Sequence, residues 1–314
     1  MATTAQAHPN IALVKYWGKA DASANVPAAP SLSITLDTLV TTTTVAAAGN
    51  ADQVYLDDEQ VDDAKIAAFL AYLRELHNVP PLSIRTHNNF PTAAGLASSA
   101  SGFAALAAAI NEECGLGLGA SQLSAIARRG SGSAARSLFG GFVSLQGPDW
   151  QARQVLDATA WQLNVVVAVT STETKATSSS AGMELCRSSS PYYEAWVTST
   201  TEDCAAAETL VAQNNFQELA ALAEASCLKM HGLMLSARPG LVYWKPATVA
   251  CIHTIRQLRA DGVPVFFTID AGPQVKAVCL PAAVETVRAA LAQVAGVSEL
   301  ITTGLGSGVT CTRT

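Results

Sequence analysis

The segment Pro91–Ala100, PTAAGLASSA, constrains the fold most, because it predicts a tight turn that opens directly into a helix. Gly95 permits the turn, and the small residues that follow predict a closely packed helix as far as Ile110. The start of a helix offers unpaired N–H groups and the positive end of the helix dipole, so it is a natural anion site. Ser98 and Ser99 add hydroxyls for phosphate oxygens or for magnesium. The Gly-Lys-Ser/Thr ending of a Walker loop is missing, and a plain helix start is the alternative.

A second segment, NIALVKYWGK at 10–19, predicts an apolar strand that ends in polar and aromatic residues. Lys15 and Lys19 are four residues apart and could hold a diphosphate between them, with Tyr16 donating a hydrogen bond. The alternative is an ordinary strand end with solvated lysines.

The third segment, RRGSGSAARSLFGG at 128–141, combines serine and glycine with arginine. Exposed amides in such a run can form a concave anion site, and Arg136 could bind a carboxylate or phosphate through two parallel hydrogen bonds. A flexible linker is the alternative. It fits poorly, because the apolar run Leu138–Leu145 overlaps its end.

The fourth segment, FFTIDAGP at 266–273, places Asp270 at the end of a hydrophobic strand and before a Gly-Pro turn. This indicates a carboxylate held in a defined position, although an aspartate that caps the turn would look the same.

The pattern along the chain predicts an α+β protein of one large or two modest domains. The character of the sequence changes near residue 185, which predicts domains at 1–185 and 186–314. Among the elements, we expect a half-buried strand over 31–41, a helix that Ser121 caps, and long helices over 191–213 and 216–235.

Composition excludes several classes of function. A net charge of -6 and the absence of a basic stripe give no reason to expect a nucleic-acid partner. The seven cysteines are scattered and odd in number, which predicts reduced thiols and neither a disulfide framework nor a zinc site. No apolar run approaches the ~18–20 residues of a membrane span, and the first eight residues lack the pattern of a signal peptide. These features predict a cytoplasmic protein.

The four segments, in this order, resemble motifs of the diphosphomevalonate decarboxylases of the GHMP kinase superfamily. The resemblance runs from about residue 8 to the C-terminus and includes NNFPTAAGLASSASG at 88–102. It implies an enzyme of the mevalonate pathway of isoprenoid biosynthesis. Such an enzyme uses ATP and Mg²⁺ to convert (R)-5-diphosphomevalonate into isopentenyl diphosphate, ADP, phosphate and CO₂.

The resemblance also implies a fold. This is a two-domain GHMP kinase-like fold, with a mixed N-terminal sheet containing a left-handed βαβ unit and a ferredoxin-like C-terminal domain. The active site is expected between the two domains, and the enzyme is expected to be a homodimer.

Site residues follow from the motif matches. The catalytic set that the resemblance implies is Asp270, Lys15 and Arg136, of which Arg136 binds the substrate carboxylate. The substrate-binding set is Tyr16, Lys19, Ser131, Ser133 and Ser179. The ATP-binding set is Ala94, Gly95, Leu96, Ala97, Ser98 and Ser99, with Ser99 as the magnesium ligand.

The sequence departs from the family pattern in three places. Ala29-Pro30-Ser31 replaces the usual Asn-Ser-Ser, Gln274 replaces the usual asparagine, and the segment 230–246 lacks the usual Pro-Pro pair. These departures leave two alternatives open, a decarboxylase of mevalonate 5-phosphate and a small-molecule kinase that only phosphorylates. A non-catalytic nucleotide-binding protein is a third, which the joint presence of Lys15, Arg136 and Asp270 disfavours.

Overall fold

The computed structural model describes residues 2–90, 98–173 and 175–313. The predicted ATP-binding residues Ala94, Gly95, Leu96 and Ala97 therefore lie outside the described residues. The strands are β1 (Ala2–Ala7), β2 (Asn10–Val14), β3 (Lys19–Asp21), β4 (Val26–Pro27), β5 (Ser31–Thr35), β6 (Thr41–Ala47), β7 (Gln53–Leu56), β8 (Glu59–Gln60), β9 (Leu82–Asn88), β10 (Phe142–Gln146), β11 (Gln151–Leu156), β12 (Asn164–Val169), β13 (Val265–Ile269), β14 (Val275–Cys279), β15 (Glu299–Thr303) and β16 (Thr310–Arg313).

Eight α-helices and two 3-10 helices lie within the described residues. They are α1 (Ala64–Leu76), α2 (Ser98–Glu113), α3 (Ala120–Gly130), α4 (Ser179–Ser189), α5 (Tyr193–Ala212), α6 (Phe216–Leu235), α7 (Pro246–Ala260) and α8 (Val284–Ala292), with 3-10 helices at Gly132–Leu138 and Pro281–Ala283.

The first sheet has six strands in the order β16-β1-β6-β9-β7-β8. It is mixed, because β7 pairs with β9 in parallel whereas β1 pairs antiparallel with both β6 and β16. Alanines of α2 pack on this sheet together with apolar side chains of α1 and α3. The small side chains of α2 let the helix approach β1 and β6 closely, which brings the start of α2 to the edge of the cavity described below.

Two further antiparallel sheets, β11-β10-β5-β2 and β13-β14-β12-β15, enclose α5 and α6 in a shared core. Phe266 of β13 faces this core, whereas Phe267 faces a second core that α7 and α8 close. All five residues of β13 are buried, as expected for a strand covered on both faces. Residues that follow β2 and β13 both line one cavity.

The half-buried strand predicted over 31–41 was wrong. The segment forms two strands in different sheets, β5 and β6, and every residue of β5 is buried. The chain turns away from the sheet after β5 because the residues that follow form hydrogen bonds with the C-terminal segment. Asp37 N donates to Gly304 O at 3.1 Å, and Thr38 N donates to Thr303 Oγ1 at 2.9 Å.

The predicted cap of α3 was also wrong. Gly119, not Ser121, is the N-cap, and the side chain of Gln122 accepts from Gly119 N at 3.0 Å. By contrast, α6 spans the residues that the apolar pattern predicted. No helix in the described part of the chain is long and apolar enough to cross a membrane, and all seven cysteines are free thiols.

Candidate active site

The predicted site residues that the structure describes all line one cavity of about 700 Å³. Its walls come from the end of β2, the starts of α2 and α4, the 3-10 helix at Gly132–Leu138 and the loop after β13. The predicted residues that line it are Lys15, Tyr16, Lys19, Ser98, Ser99, Ser131, Ser133, Arg136, Ser179 and Asp270. Five sequence segments that are far apart along the chain therefore form one site.

Lys15 and Asp270 form an ion pair at this cavity. Lys15 Nζ lies 2.6 Å from Asp270 Oδ1, and the side chains are 1% and 28% exposed. Lys15 follows the last residue of β2, and its backbone N–H donates to Ser226 Oγ of α6 at 3.0 Å. Asp270 follows the last residue of β13. Both side chains are thus fixed by the ends of buried strands.

A second lysine, Lys276 on β14, contacts the same carboxylate. Its Nζ lies 3.2 Å from Asp270 Oδ2, and the side chain is 1% exposed. Burial by itself raises the pKa of Asp270, but the charges and hydrogen bonds of Lys15 and Lys276 outweigh burial and hold that pKa well below its usual range. Sequence reasoning missed Lys276. The available signal was a single charge in the otherwise apolar strand VKAVC.

Arg136 is 2% exposed, and neutral groups hold its guanidinium. Its Nε donates to Ser33 Oγ at 3.0 Å, its Nη1 to Ser31 Oγ at 2.5 Å and its Nη2 to Asn10 Oδ1 at 3.1 Å. Burial lowers the pKa of Arg136 to about 10, which leaves it charged at neutral pH. Within the described residues, none of the ion pairs involves Arg136. A buried cation with this environment and a face on the cavity is suited to an anionic ligand.

The start of α2 meets the serine-rich 3-10 segment across the cavity. Ser99 Oγ lies 3.3 Å from Ser131 Oγ, which lies 3.4 Å from Ser133 Oγ. Gly132 has no room for a side chain, because a Cβ there would lie 2.2 Å from the hydroxyl of Tyr16. The predicted nucleotide side and the predicted substrate side are therefore adjacent.

The cavity wall also carries several other polar and cationic groups. The Tyr16 hydroxyl is buried and has no hydrogen-bond partner among the described residues, and burial raises its pKa to about 12. Lys19 Nζ donates to Ser180 Oγ at 3.2 Å, while Lys175 Nζ donates to Ser179 Oγ at 3.3 Å. Ser178 caps α4 by accepting from Ala181 N, so the positive end of this helix faces the cavity.

The described residues contain no cluster of three or more histidine, cysteine, aspartate or glutamate side chains that could hold a metal ion. Ser99, at the first turn of α2, offers a hydroxyl oxygen on the cavity. This fits Mg²⁺, which keeps several waters and takes most of its other ligands from bound phosphates.

Gln274, one of the departures from the family pattern, connects the loop after β13 to the two residues that follow β12. Its Oε1 accepts from Thr170 N at 2.7 Å, and its Nε2 donates to Ser171 O at 2.5 Å. The side chain is 1% exposed. It therefore fixes the start of the segment that leads to Lys175 and the cap of α4.

We expect Gln274→Ala to raise the KM for the phosphorylated substrate that the sequence predicts about 5- to 50-fold, because two buried hydrogen bonds of about 1 kcal/mol each are lost. The KM for ATP is expected to change less than twofold. Gln274→Glu is the matched comparison, since it keeps the acceptor for Thr170 and loses the donor to Ser171. Steady-state kinetics with each substrate varied tests this, and an unchanged KM for the phosphorylated substrate would contradict it.

His231 of α6 is buried beside the end of β13. Its Nε2 lies 3.3 Å from Ile269 O and accepts from Trp244 Nε1 at 3.3 Å. Burial lowers its pKa to about 4, whereas histidine in an unfolded chain titrates near ~6.5. Below about pH 6.5 the unfolded chain therefore takes up a proton that the folded chain does not bind.

The free energy of unfolding is accordingly expected to fall between about pH 6.5 and pH 4, with His231 accounting for about 3 kcal/mol. His231→Gln should flatten this part of the profile, and the exposed His253→Gln should not. Denaturant unfolding at several pH values measures the effect. Equal pH slopes for wild type and His231→Gln would show that His231 is not responsible.

The chain is similar to known proteins over most of its length. Residues 7–160 match the model of the diphosphomevalonate decarboxylase-like N-terminal domain. Residues 165–307 match the model of the mevalonate 5-diphosphate decarboxylase C-terminal domain. Among similar proteins, the diphosphomevalonate decarboxylase of Candida albicans is 37% identical over 290 residues, 84% of this chain and 80% of its own. The human diphosphomevalonate decarboxylase is 36% identical over 303 residues, 87% of this chain and 75% of its own.

Solved structures agree with this similarity. The complex of MDDEF with MVAPP, AMPPCP and magnesium superposes with a TM-score of 0.92 at 36% identity, covering 100% of this chain and 99% of that one. Mevalonate diphosphate decarboxylase from Staphylococcus aureus gives a TM-score of 0.92 at 32% identity, covering 99% of this chain and 98% of its own. These superpositions confirm the α+β, GHMP kinase-like fold that the sequence predicted.

Proposed function

The chain belongs to the diphosphomevalonate decarboxylase family, and we propose here how its own residues perform the reaction of that family. The enzyme converts 5-diphosphomevalonate and ATP into isopentenyl diphosphate, ADP, phosphate and CO₂, with Mg²⁺ as cofactor. The observation that carries the proposal is the meeting of Lys15, Asp270 and Arg136 in one cavity.

The substrate diphosphate binds at the cationic end of the cavity. Tyr16 donates its free hydroxyl, and Lys19 supplies charge. Ser179 donates from the first turn of α4, where the helix dipole also favours an anion. Lys175, which sequence reasoning did not assign, lies between Ser179 and the loop after Asp270, because its Nζ donates to Ser179 Oγ at 3.3 Å and to Ala271 O at 3.0 Å. These contacts fix the substrate at the end that does not react.

The substrate carboxylate binds Arg136, while Ser131 and Ser133 contact the substrate beside it. A carboxylate there supplies the counter-charge to the buried guanidinium that Asn10, Ser31 and Ser33 hold in place. Ser31 is the only residue of the Ala29-Pro30-Ser31 segment that matches the Asn-Ser-Ser pattern of the family.

The nucleotide binds along the start of α2, with Ser98 and Ser99 donating to its phosphates and Ser99 also available to Mg²⁺. When bound, Mg²⁺ supplies charge neutralisation at the phosphate oxygens. Lys15 contributes a positive charge at the transferring phosphoryl group.

Asp270 accepts a hydrogen bond from the tertiary hydroxyl of the substrate. As the hydroxyl oxygen bonds to the γ-phosphorus and the bond to ADP breaks, the hydroxyl proton moves to Asp270. Because its pKa lies below the usual range, the carboxylate is a weak base and accepts this proton late in the transfer.

The 3-phosphate then leaves with the electron pair of its C–O bond, and positive charge develops at C3. The bond between C2 and the carboxylate breaks, its electron pair forms the new double bond, and CO₂ departs. Arg136 keeps the carboxylate aligned with the leaving phosphate until this step.

We also propose that the enzyme acts in the cytoplasm as a homodimer. The free thiols of all seven cysteines support a reducing compartment. Light scattering after size exclusion is expected to give about twice the 32.5 kDa of one chain.

The choice of substrate is tested with 5-diphosphomevalonate and mevalonate 5-phosphate in parallel, with ADP and CO₂ measured in each. We expect the diphosphate to have the higher kcat/KM, because Lys19, Lys175 and the start of α4 line the cavity and favour the additional negative charge of the second phosphate. Higher kcat/KM with the monophosphate would overturn the assignment. ATP binding without turnover of either would point to a non-catalytic protein.

A further inference from the structure

Asp270 lies between two buried lysines that approach it from different directions. Lys15 lines the cavity and contacts Oδ1, whereas Lys276 is not part of the cavity wall and contacts Oδ2. Lys276 lies opposite Thr268 in the β13–β14 pair, two residues before Asp270, so the hairpin itself sets its position.

A lysine at this position is costly to the fold. Its neighbours on β14 are all buried, and an apolar side chain would continue their pattern. Burial lowers the pKa of Lys276, which reflects the unfavourable transfer of its charge from water. One lysine is enough to pair one carboxylate, so the second calls for an explanation beyond packing.

The proposed reaction provides one. Lys15 is expected to turn towards the transferring phosphoryl group, and Oδ1 of Asp270 must then be open to the substrate hydroxyl. If Lys15 were the only partner, Asp270 would lose its counter-charge at the moment when it has to be ionised and correctly aimed.

We propose that Lys276 is the positioning residue of Asp270, which holds Oδ2 from inside the protein and leaves Oδ1 to the substrate. It does not touch the substrate and acts only through the carboxylate. The inference rests on the proposed role of Asp270.

Lys276→Met keeps much of the length of the side chain and removes the charge. We expect kcat to fall on the order of 10²-fold, as for a misplaced reactive group, with the KM of each substrate within about threefold of wild type. Lys276→Arg, which keeps a charge near Oδ2, should give a kcat between the two. Lys229→Met is the matched control, because Lys229 pairs with Asp203 away from the cavity, and its kcat should stay at the wild-type value.

The pH dependence gives a readout that a structural role would not move. The charged or titratable groups that act on Asp270 are Lys15, Lys276, Lys175, Arg136, Cys227 and His231. Without Lys276, less positive charge offsets the effect of burial, so the pKa of Asp270 rises. As the pH is lowered, kcat of Lys276→Met should therefore begin to fall at a higher pH than kcat of the wild type. The profile is measured in a His231→Gln background, where His231 cannot titrate.

The outcomes separate the two proposals. Near-wild-type turnover of Asp270→Asn would remove Asp270 from its role, whatever Lys276 does. If Asp270→Asn is inactive while Lys276→Met keeps a wild-type kcat and acid limb, the inference about Lys276 fails alone. If Lys276→Met does not fold, the kcat and KM of Lys276→Arg test the proposal instead. A reduced kcat at unchanged KM supports the proposal, and a wild-type kcat contradicts it.

Discussion

Asp270→Asn is expected to lower kcat by at least the ~10²–10⁴-fold that a general base contributes. The amide cannot take the hydroxyl proton. It also no longer neutralises Lys15 and Lys276, which are both 1% exposed. The KM for each substrate should change much less than kcat, since the diphosphate and nucleotide contacts lie elsewhere in the cavity.

The control for this change is Asp203→Asn. Asp203 also pairs with a lysine, Lys229, but it does not line the cavity. The kcat of Asp203→Asn should therefore equal that of the wild type. Because the substitution at Asp270 leaves two buried ammonium groups unpaired, binding of a non-hydrolysable ATP analogue should be measured to show that the variant is folded. A folded Asp270→Asn protein with wild-type turnover would contradict the mechanism.

Arg136→Ala is expected to lower kcat/KM for the phosphorylated mevalonate by roughly 30- to 5000-fold, the equivalent of the ~2–5 kcal/mol lost when a buried hydrogen-bonded charge pair is broken. The guanidinium is buried among Asn10, Ser31 and Ser33. These side chains are neutral, so none of them can replace the positive charge that alanine removes. The KM for ATP should be unchanged, because Ser98 and Ser99 lie on α2.

Two further variants sharpen this test. Arg136→Lys keeps a charge but not the planar pair of donors, so its kcat/KM should lie between those of wild type and alanine. Arg153→Ala removes a surface arginine paired with Glu208 and should have no effect. If Arg136→Ala raised only the KM for ATP, Arg136 would belong to the nucleotide and not to the substrate carboxylate.

The sequence identified residues that line one cavity more reliably than it predicted the local structure around them. Lys15, Arg136 and Asp270 were found because each belongs to a run whose residue types make chemical sense together, and all three line the same cavity. The strand over 31–41 was wrong because period-two alternation does not reveal that Thr303 and Gly304 draw the chain away after β5.

The local sequence pattern was not enough to assign a role to Lys276 or Gln274. A lysine in VKAVC is read as a surface position of a strand until the fold buries it beside Asp270. Gln274 was recognised only as a departure from a motif, since its partners Thr170 and Ser171 lie about a hundred residues away in the chain. The domain boundary at residue 185 stays a prediction, although β12 already pairs with β14 and β15.

The central claim is that one cavity phosphorylates the substrate and then decarboxylates it. It is tested most directly by the product stoichiometry of the purified enzyme with (R)-5-diphosphomevalonate, ATP and Mg²⁺. We expect ADP, phosphate, CO₂ and isopentenyl diphosphate in equal amounts, because each transferred phosphoryl group leaves as phosphate when CO₂ departs. Formation of ADP and a stable phosphorylated product without CO₂ would contradict the account and identify a kinase.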